Sequence, residues 1–442
     1  MESWLQGNTL RIFTQKRQQR DPNIFNSGRT VTSSGSQRER KYRIAVRKYR
    51  AFESSIQSQW QSFVAQARTG LVLEIASLDL NGLQNALFNS RGMTNGDWDI
   101  AFVNTDWVSA MEEHDAALDL ASLLSSDPPP GWPDGWAPSL RRLQSVGEKI
   151  LGIPYHDGPE CMIFRKDLFE DSVLRHIFES QFCRELEPPA TWSDFHQLAR
   201  FFHKPDRNLY GTAFAAFPDG HNTVYDFLLQ LWTRGGELID AHGNLQFDTG
   251  EAEEALSFYR DILTDSSAVH PRCSQLDSVR LGESFAAGEL ALAINWFGFA
   301  TAAHTGETSQ VRNCVDIAPI PSGPSGRSTS LNVYWLLALP SGSAHPDVAW
   351  RFLRHVMTPE MDRVTTLSGA IGCRRSTWTD AEVNGKIPFY HRLGGLHEAT
   401  REIPKRNDWA QIAHKIDDLV TSAITTTIPL RQLLLNAQRS GL

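Results

Sequence analysis

Three stretches near the start of the chain, "KYRIAVRKY", "LVLEIASL" and "DWDIAFVNTDW", constrain its fold more than any other feature. In the first, Ile44 and Val46 alternate with Arg43 and Arg47, the period of two that a pleated strand imposes. Between the first and second, Phe52, Ile56, Trp60, Phe63, Val64 and Ala67 recur at helical spacing. Between the second and third, "NGLQNALFNS" predicts a short helix. Strand, helix, strand, helix, strand predicts a parallel sheet with helices on its faces, an α/β fold. At 442 residues the chain exceeds one ordinary core, so two lobes are expected.

The Pro- and Gly-rich "SSDPPPGWPDGWAP" predicts a surface loop, because a strand-like "EKILGIPY" resumes soon after it. Beyond it the reading turns mostly helical. "TWSDFHQLARFF" opens with Thr191 and Asp194 in capping-box spacing and places Trp192, Phe195, Leu198, Ala199 and Phe202 on one face. "FDTGEAEEALSFYRDIL" starts at Asp248 or Thr249 and aligns Ala252, Ala255, Leu256, Tyr259, Ile262 and Leu263. "ELALAINWF", "CVDIAPIP" and "VYWLLALP" predict further strands. Trp60, Trp192 and Trp350 fall on apolar helix faces and are expected in the core.

The formal charge of −8 is unevenly spread. Residues 1 to 50 carry 12 Lys or Arg against 3 Asp or Glu, leaving the body with 31 against 48. An acidic body excludes a nucleic-acid platform, which needs clustered cations on the fold. Residues 1 to 41 form a basic, Gln- and Ser-rich leader expected to be disordered. It has neither the apolar core of a secretory signal nor a nearby Cys for a lipid. An extension outside the native start and an Arg-rich targeting peptide both account for it. The five cysteines include no C-x-x-C pair, and their odd number excludes complete internal pairing; one disulfide, such as Cys161 to Cys183, stays open.

The ordered set "WDIAFVNTDWV", "IPYHDGPECMIFRKDLFED", "PPATWSDF", "FDTGEAEEALSFYRDIL", "FAAGELALAINWFG" and "PSGSAHPDVAWRFLRHVMTPE" resembles the extracellular solute-binding proteins of family 1. These are the maltose-binding-protein-like sugar receptors of bacterial ABC importers. The likeness runs from about Tyr42 to Arg375. It implies a two-lobed periplasmic-binding-protein-like fold of type II, with three crossovers near Gly152 to Tyr155, Ala318 to Gly323 and Ser368 to Gly372. Residues 42–152 plus 322–367 would build one lobe and 153–321 plus 368–442 the other, with a ligand cleft between them. One stretch departs from the pattern: "RKYRAFE" follows the first strand where relatives carry small or Trp-containing sequence, marking that edge of the cleft as occluded or specialised.

His156, Asp157 and Glu160 crowd into five positions after Pro154. Three readings are open for them. As catalytic carboxylates, Asp157 and Glu160 would have to flank a bond at fixed separation, which one loop does not arrange by design. As metal ligands, the three lack a fourth partner at recognisable spacing. As a polar lip, they close a turn or orient the hydroxyls of a polyol.

Trp107, Trp296, Tyr334 and Trp335 fall where the implied cleft lies and would stack on the apolar faces of sugar rings, or else fill the core. Asp79, Asp106, Asn295, Asn332 and Arg375 are the candidate polar partners. The implied function is that of a non-catalytic, monomeric receptor that binds a sugar or oligosaccharide without cofactor or metal. It would deliver that cargo to ABC permease subunits from an extracytoplasmic compartment. A ligand-binding sensor subunit of the same fold and a two-domain hydrolase are the alternatives.

Overall fold

A computed structural model describes residues 41–324 and 326–439; the expected leader lies outside the described residues apart from Lys41, which opens the first strand. Nine strands build two sheets: β1 (Lys41–Arg47), β2 (Val72–Leu78), β3 (Ile100–Asn104), β4 (Ile153–His156), β5 (Glu160–Arg165), β6 (Tyr210–Ala213), β7 (Leu290–Trp296), β8 (Val315–Ala318) and β9 (Trp335–Ala338). The first sheet has the order β2-β1-β3-β9-β4 and the second β8-β5-β7-β6. The protein is a two-lobed α/β fold of the expected kind.

Strand position explains burial. β3 is buried at every residue and sits in the middle of its sheet, whereas β2 alternates at the edge and exposes Val72. β1 pairs parallel with both β2 and β3, so the carboxyl ends of three strands open on one side. In parallel sheets that is where ligands gather. The second sheet is covered on both faces, and β5 and β7 are accordingly near-continuous apolar runs.

The helix between β1 and β2, Arg50–Ala67, buries Phe52, Ile56, Trp60 and Phe63. Helix Trp192–Phe202 buries the five residues of its expected stripe and starts at Thr191, whose hydroxyl accepts from the Asp194 N–H at 3.1 Å. Helix Gly250–Leu263 is capped in the same way by Thr249. Trp60, Trp192 and Trp350 are core residues.

Among the described residues the chain passes from sheet to sheet twice, from β4 to β5 and from β8 to β9; Ser368 to Gly372, expected as a third crossover, follows the last strand of both sheets and leads into helices. The first passage comes later than residue 152, because Ile153–His156 is hydrogen-bonded to β9 as an edge strand of the first sheet. Pro154, without an N–H, suits an edge. The Pro-rich loop is anchored as well as exposed: Trp136 is buried, with the Arg374 guanidinium 4.3 Å over its ring. All five cysteines are free thiols, so the Cys161–Cys183 pairing is not made; Cys161 is buried in β5 while Cys183 is exposed at a helix end.

Candidate ligand-binding cleft

A cavity of about 120 Å³ opens between the two sheets. From the first sheet side it receives Arg47 at the end of β1, Lys48 and Tyr49 after it, Leu80 after β2, Asn104 at the end of β3, and Trp335 on β9. These are largely strand ends, as the parallel arrangement requires. From the other side come Trp296, ending β7, and Tyr225 on the helix Asn222–Thr233, whose rings meet edge to face at 5.7 Å. Phe52 packs edge-on against His156 at 4.8 Å and Trp335 at 6.1 Å.

The floor is where the first crossover and the segment Ser368 to Gly372 are tied together. The Ile371 N–H donates to His156 Nδ1 at 2.9 Å, and the Asp157 N–H donates to the Ile371 carbonyl at 3.0 Å. Burial pushes the His156 pKa down to about 4, so the ring is neutral with its proton on Nε2. Asp157 is buried. Its Oδ2 sits 2.6 Å from His397 Nε2, while its Oδ1 has no partner. His397 in turn meets Ser139 Oγ through Nδ1 at 2.9 Å and stacks on Trp378. Gly158 holds a φ of +129°, a conformation that glycine alone adopts freely.

Four candidates from the sequence, His156, Asp157, Trp296 and Trp335, line this cavity. Asp106 and Trp107 lie just behind it. Trp107 packs perpendicular to Trp335 at 6.0 Å, and Asp106 Oδ2 accepts the Tyr225 hydroxyl at 3.0 Å. Glu160 is paired with Trp296 in the β5–β7 ladder and is buried. Burial, and then Asp226, push its carboxyl well above the ordinary range, and burial raises Asp226 to about 7.

The other five take different places. Val333 and Trp335 line the cavity, while Tyr334 between them is buried and its hydroxyl donates to the Leu140 carbonyl. Asn332 is fully buried with neither amide atom partnered. Asn295 is spent on local backbone, donating to the Ser278 carbonyl and accepting from the Trp296 N–H. Asp79 caps the helix Leu80–Gln84. Arg375 is exposed and borders a separate hollow with Ser139 and His397. Among the described residues no three or more His, Cys, Asp or Glu converge to hold a metal ion.

Tyr225, His221 and Asn222 are functional candidates the sequence reading missed. His221 Nε2 lies 3.4 Å from Asp106 Oδ2, and Nδ1 donates to the Asp219 carbonyl at 2.8 Å. Burial alone would lower its pKa, but the hydrogen bonds and charges of Asp106 and Asp219 outweigh that and push it up to about 10. The unfolded value is about 6.5, so the folded protein keeps a proton that the unfolded chain releases. The resulting stabilisation is complete below about pH 6.5 and is lost as pH rises through about 10. The melting temperature of His221→Gln is therefore expected to fall less steeply than the parent's between pH 7 and 10; equal slopes would contradict a charged His221.

Similar proteins place this geometry. The Mannitol-binding protein of Pseudomonas aeruginosa is 22% identical over 327 residues, covering 70% of this chain and 72% of its own. Among solved structures, a maltose-bound MalE3 of T. maritima superposes with a TM-score of 0.79 at 18% identity, covering 90% of this chain and 98% of that one. An ABC transporter solute-binding protein of Agrobacterium radiobacter in complex with ribitol gives 0.78 at 19% identity, covering 90% and 97%. The family pattern of bacterial extracellular solute-binding proteins matches residues 53–362, well over half of the chain, and the chain belongs to that family.

Proposed function

We propose that this protein is the solute-binding component of an ABC importer and that it holds a sugar or polyol in the cleft without acting on it chemically. The carrying observation is the cavity wall, which brings Trp296, Trp335 and Tyr225 together with Asp157, whose buried Oδ1 is unpartnered. Rings stack on the C–H faces of a sugar, and a carboxylate oxygen accepts its hydroxyls. The mannitol, ribitol and maltose of the similar proteins support that chemistry.

In this reading His156 Nε2 donates to a ligand hydroxyl, and Trp107 and Asp106 hold Trp335 and Tyr225 in place. The lobes close about the tied segments, and both present surfaces to permease subunits outside the cytoplasm. The protein works as a monomer, and neither cofactor nor metal takes part. Asp157→Asn combined with Glu160→Gln is expected to weaken binding of mannitol or ribitol roughly tenfold or more, in line with the loss of a charge-assisted hydrogen bond. No turnover is expected from parent or variant, and dialysis against a chelator should leave affinity unchanged. Glycoside cleavage by the parent that disappears in the variant would replace this reading with an enzyme.

A further inference from the structure

The stretch "RKYRAFE" leaves two cations in the cleft. Arg47 ends β1 and Lys48 follows it, and both line the cavity beside Tyr49. Arg47 is half-buried and Lys48 exposed. Among the described residues, neither side chain has a hydrogen-bond or ion-pair partner. Burial lowers the Arg47 pKa, while the fields of Asp277, Asp79 and Asp219 oppose that effect.

Those carboxylates, and the others near the cavity, each accept a hydrogen bond from another group. Asp79 accepts from the Gly82 N–H at 2.7 Å, and Asp277 from the Arg280 N–H at 2.8 Å. Asp219 Oδ1 accepts from the His221 N–H at 3.1 Å, and Asp106 binds Tyr225 and His221. Asp157 gives one oxygen to His397 and keeps the other free. On the facing wall the charge of His221 is balanced by Asp106 and Asp219. Ser278 and Val279, which open the helix Ser278–Ala286, also line the cavity and turn its positive end toward it. The three carboxylates offset part of the cost of desolvating the guanidinium without contacting it, and a direct partner in the cavity would offset more.

We propose that the solute carries an oxyanion, a carboxylate or a phosphate, which Arg47 and Lys48 hold while Asp157 Oδ1 accepts a hydroxyl of the same molecule. The ligand class is thus a sugar acid or sugar phosphate. This rests on the sugar-receptor reading above and narrows it. Arg47 supplies the fork that matches an oxyanion in two places, and Lys48 a movable point charge.

The test is calorimetric titration of the full chain with gluconate, glucuronate and glucose 6-phosphate, each against its neutral counterpart, sorbitol or glucose. At least one anionic probe is expected to bind tenfold or more tighter than its counterpart and to weaken as salt is added. Preference for gluconate and glucuronate identifies a carboxylate, and preference for glucose 6-phosphate a phosphate. Arg47→Gln should lose roughly ten- to a hundredfold in affinity for the anionic probe and little for the neutral one, with Arg47→Lys intermediate. Lys48→Gln, at an exposed position that folding does not depend on, should lose less in the same direction. Neutral probes that bind as well as anionic ones, or unchanged discrimination in the Arg47→Gln, Lys48→Gln double variant, overturn the oxyanion assignment and leave the sugar-receptor reading standing. If neither class binds, both fall.

Discussion

Trp296→Ala is expected to cost about 2 kcal/mol of binding, roughly thirtyfold in affinity, because a stacked indole is the scale of an aromatic hot spot. Stability should suffer less. A fully buried Trp truncated to Ala costs about 3 to 5 kcal/mol through the cavity it leaves, but Trp296 ends β7 and remains half-exposed, with Tyr225 at its edge. The two effects separate when melting temperature and affinity are measured on the same variant. A chain that is strongly destabilised yet binds normally when cooled would return Trp296 to the core and remove the principal stacking surface.

The second large effect is expected at Asp362, which is buried in the helix Pro359–Leu367 and holds the backbone just beyond Ser368 to Gly372. Its Oδ1 accepts from the Cys373 N–H at 2.8 Å, and its Oδ2 from the Arg374 N–H at 3.1 Å and the Thr377 hydroxyl at 2.5 Å. Asp362→Ala strands three donors in a buried place, and each such group costs about 1 to 3 kcal/mol. A loss of about 3 kcal/mol or more in urea unfolding is expected. Asp362→Asn, which keeps one acceptor, should lose less. Affinity should fall too, since Cys373 follows two residues after Ile371, whose N–H and carbonyl hold His156 and Asp157. A stability loss without any change in binding would show that this segment does not position the cleft floor.

Much of this architecture is legible in local pattern. Alternation located β1, and helical spacing named the buried faces of Arg50–Ala67 and Trp192–Phe202, because one-sided burial writes a period into the sequence. The same logic fails where burial is total. "NTVYDFLLQLWT" is buried along its whole length, so it carries no polar stripe, and Tyr225 gives no sign of facing a cavity.

The cleft was legible only where a residue's side is fixed by sequence neighbours. Trp296 stands where a strand ends, and His156 and Asp157 follow Pro154 at a sheet edge. Tyr334 and Trp335 are adjacent aromatics with nothing in the sequence to tell them apart, yet Trp335 lines the cavity and Tyr334 is buried with its hydroxyl on the Leu140 carbonyl. Asp79 immediately precedes a helix, a position at which Asp more often serves the backbone than a ligand. Arg47 and Lys48 were visible as an unusual stretch, but their lack of partners is a property of the assembled fold.

The central claim is that a small hydroxylated solute binds between the two sheets. It is tested most directly by the melting temperature of the full chain and of Trp296→Ala against a panel of monosaccharides, alditols, sugar acids and sugar phosphates. A specific solute at a hundredfold excess over its Kd stabilises the parent by about 2.7 kcal/mol, and at the same concentration the variant should show a distinctly smaller shift. Absence of any shift across the panel, or an equal shift in Trp296→Ala, would contradict it.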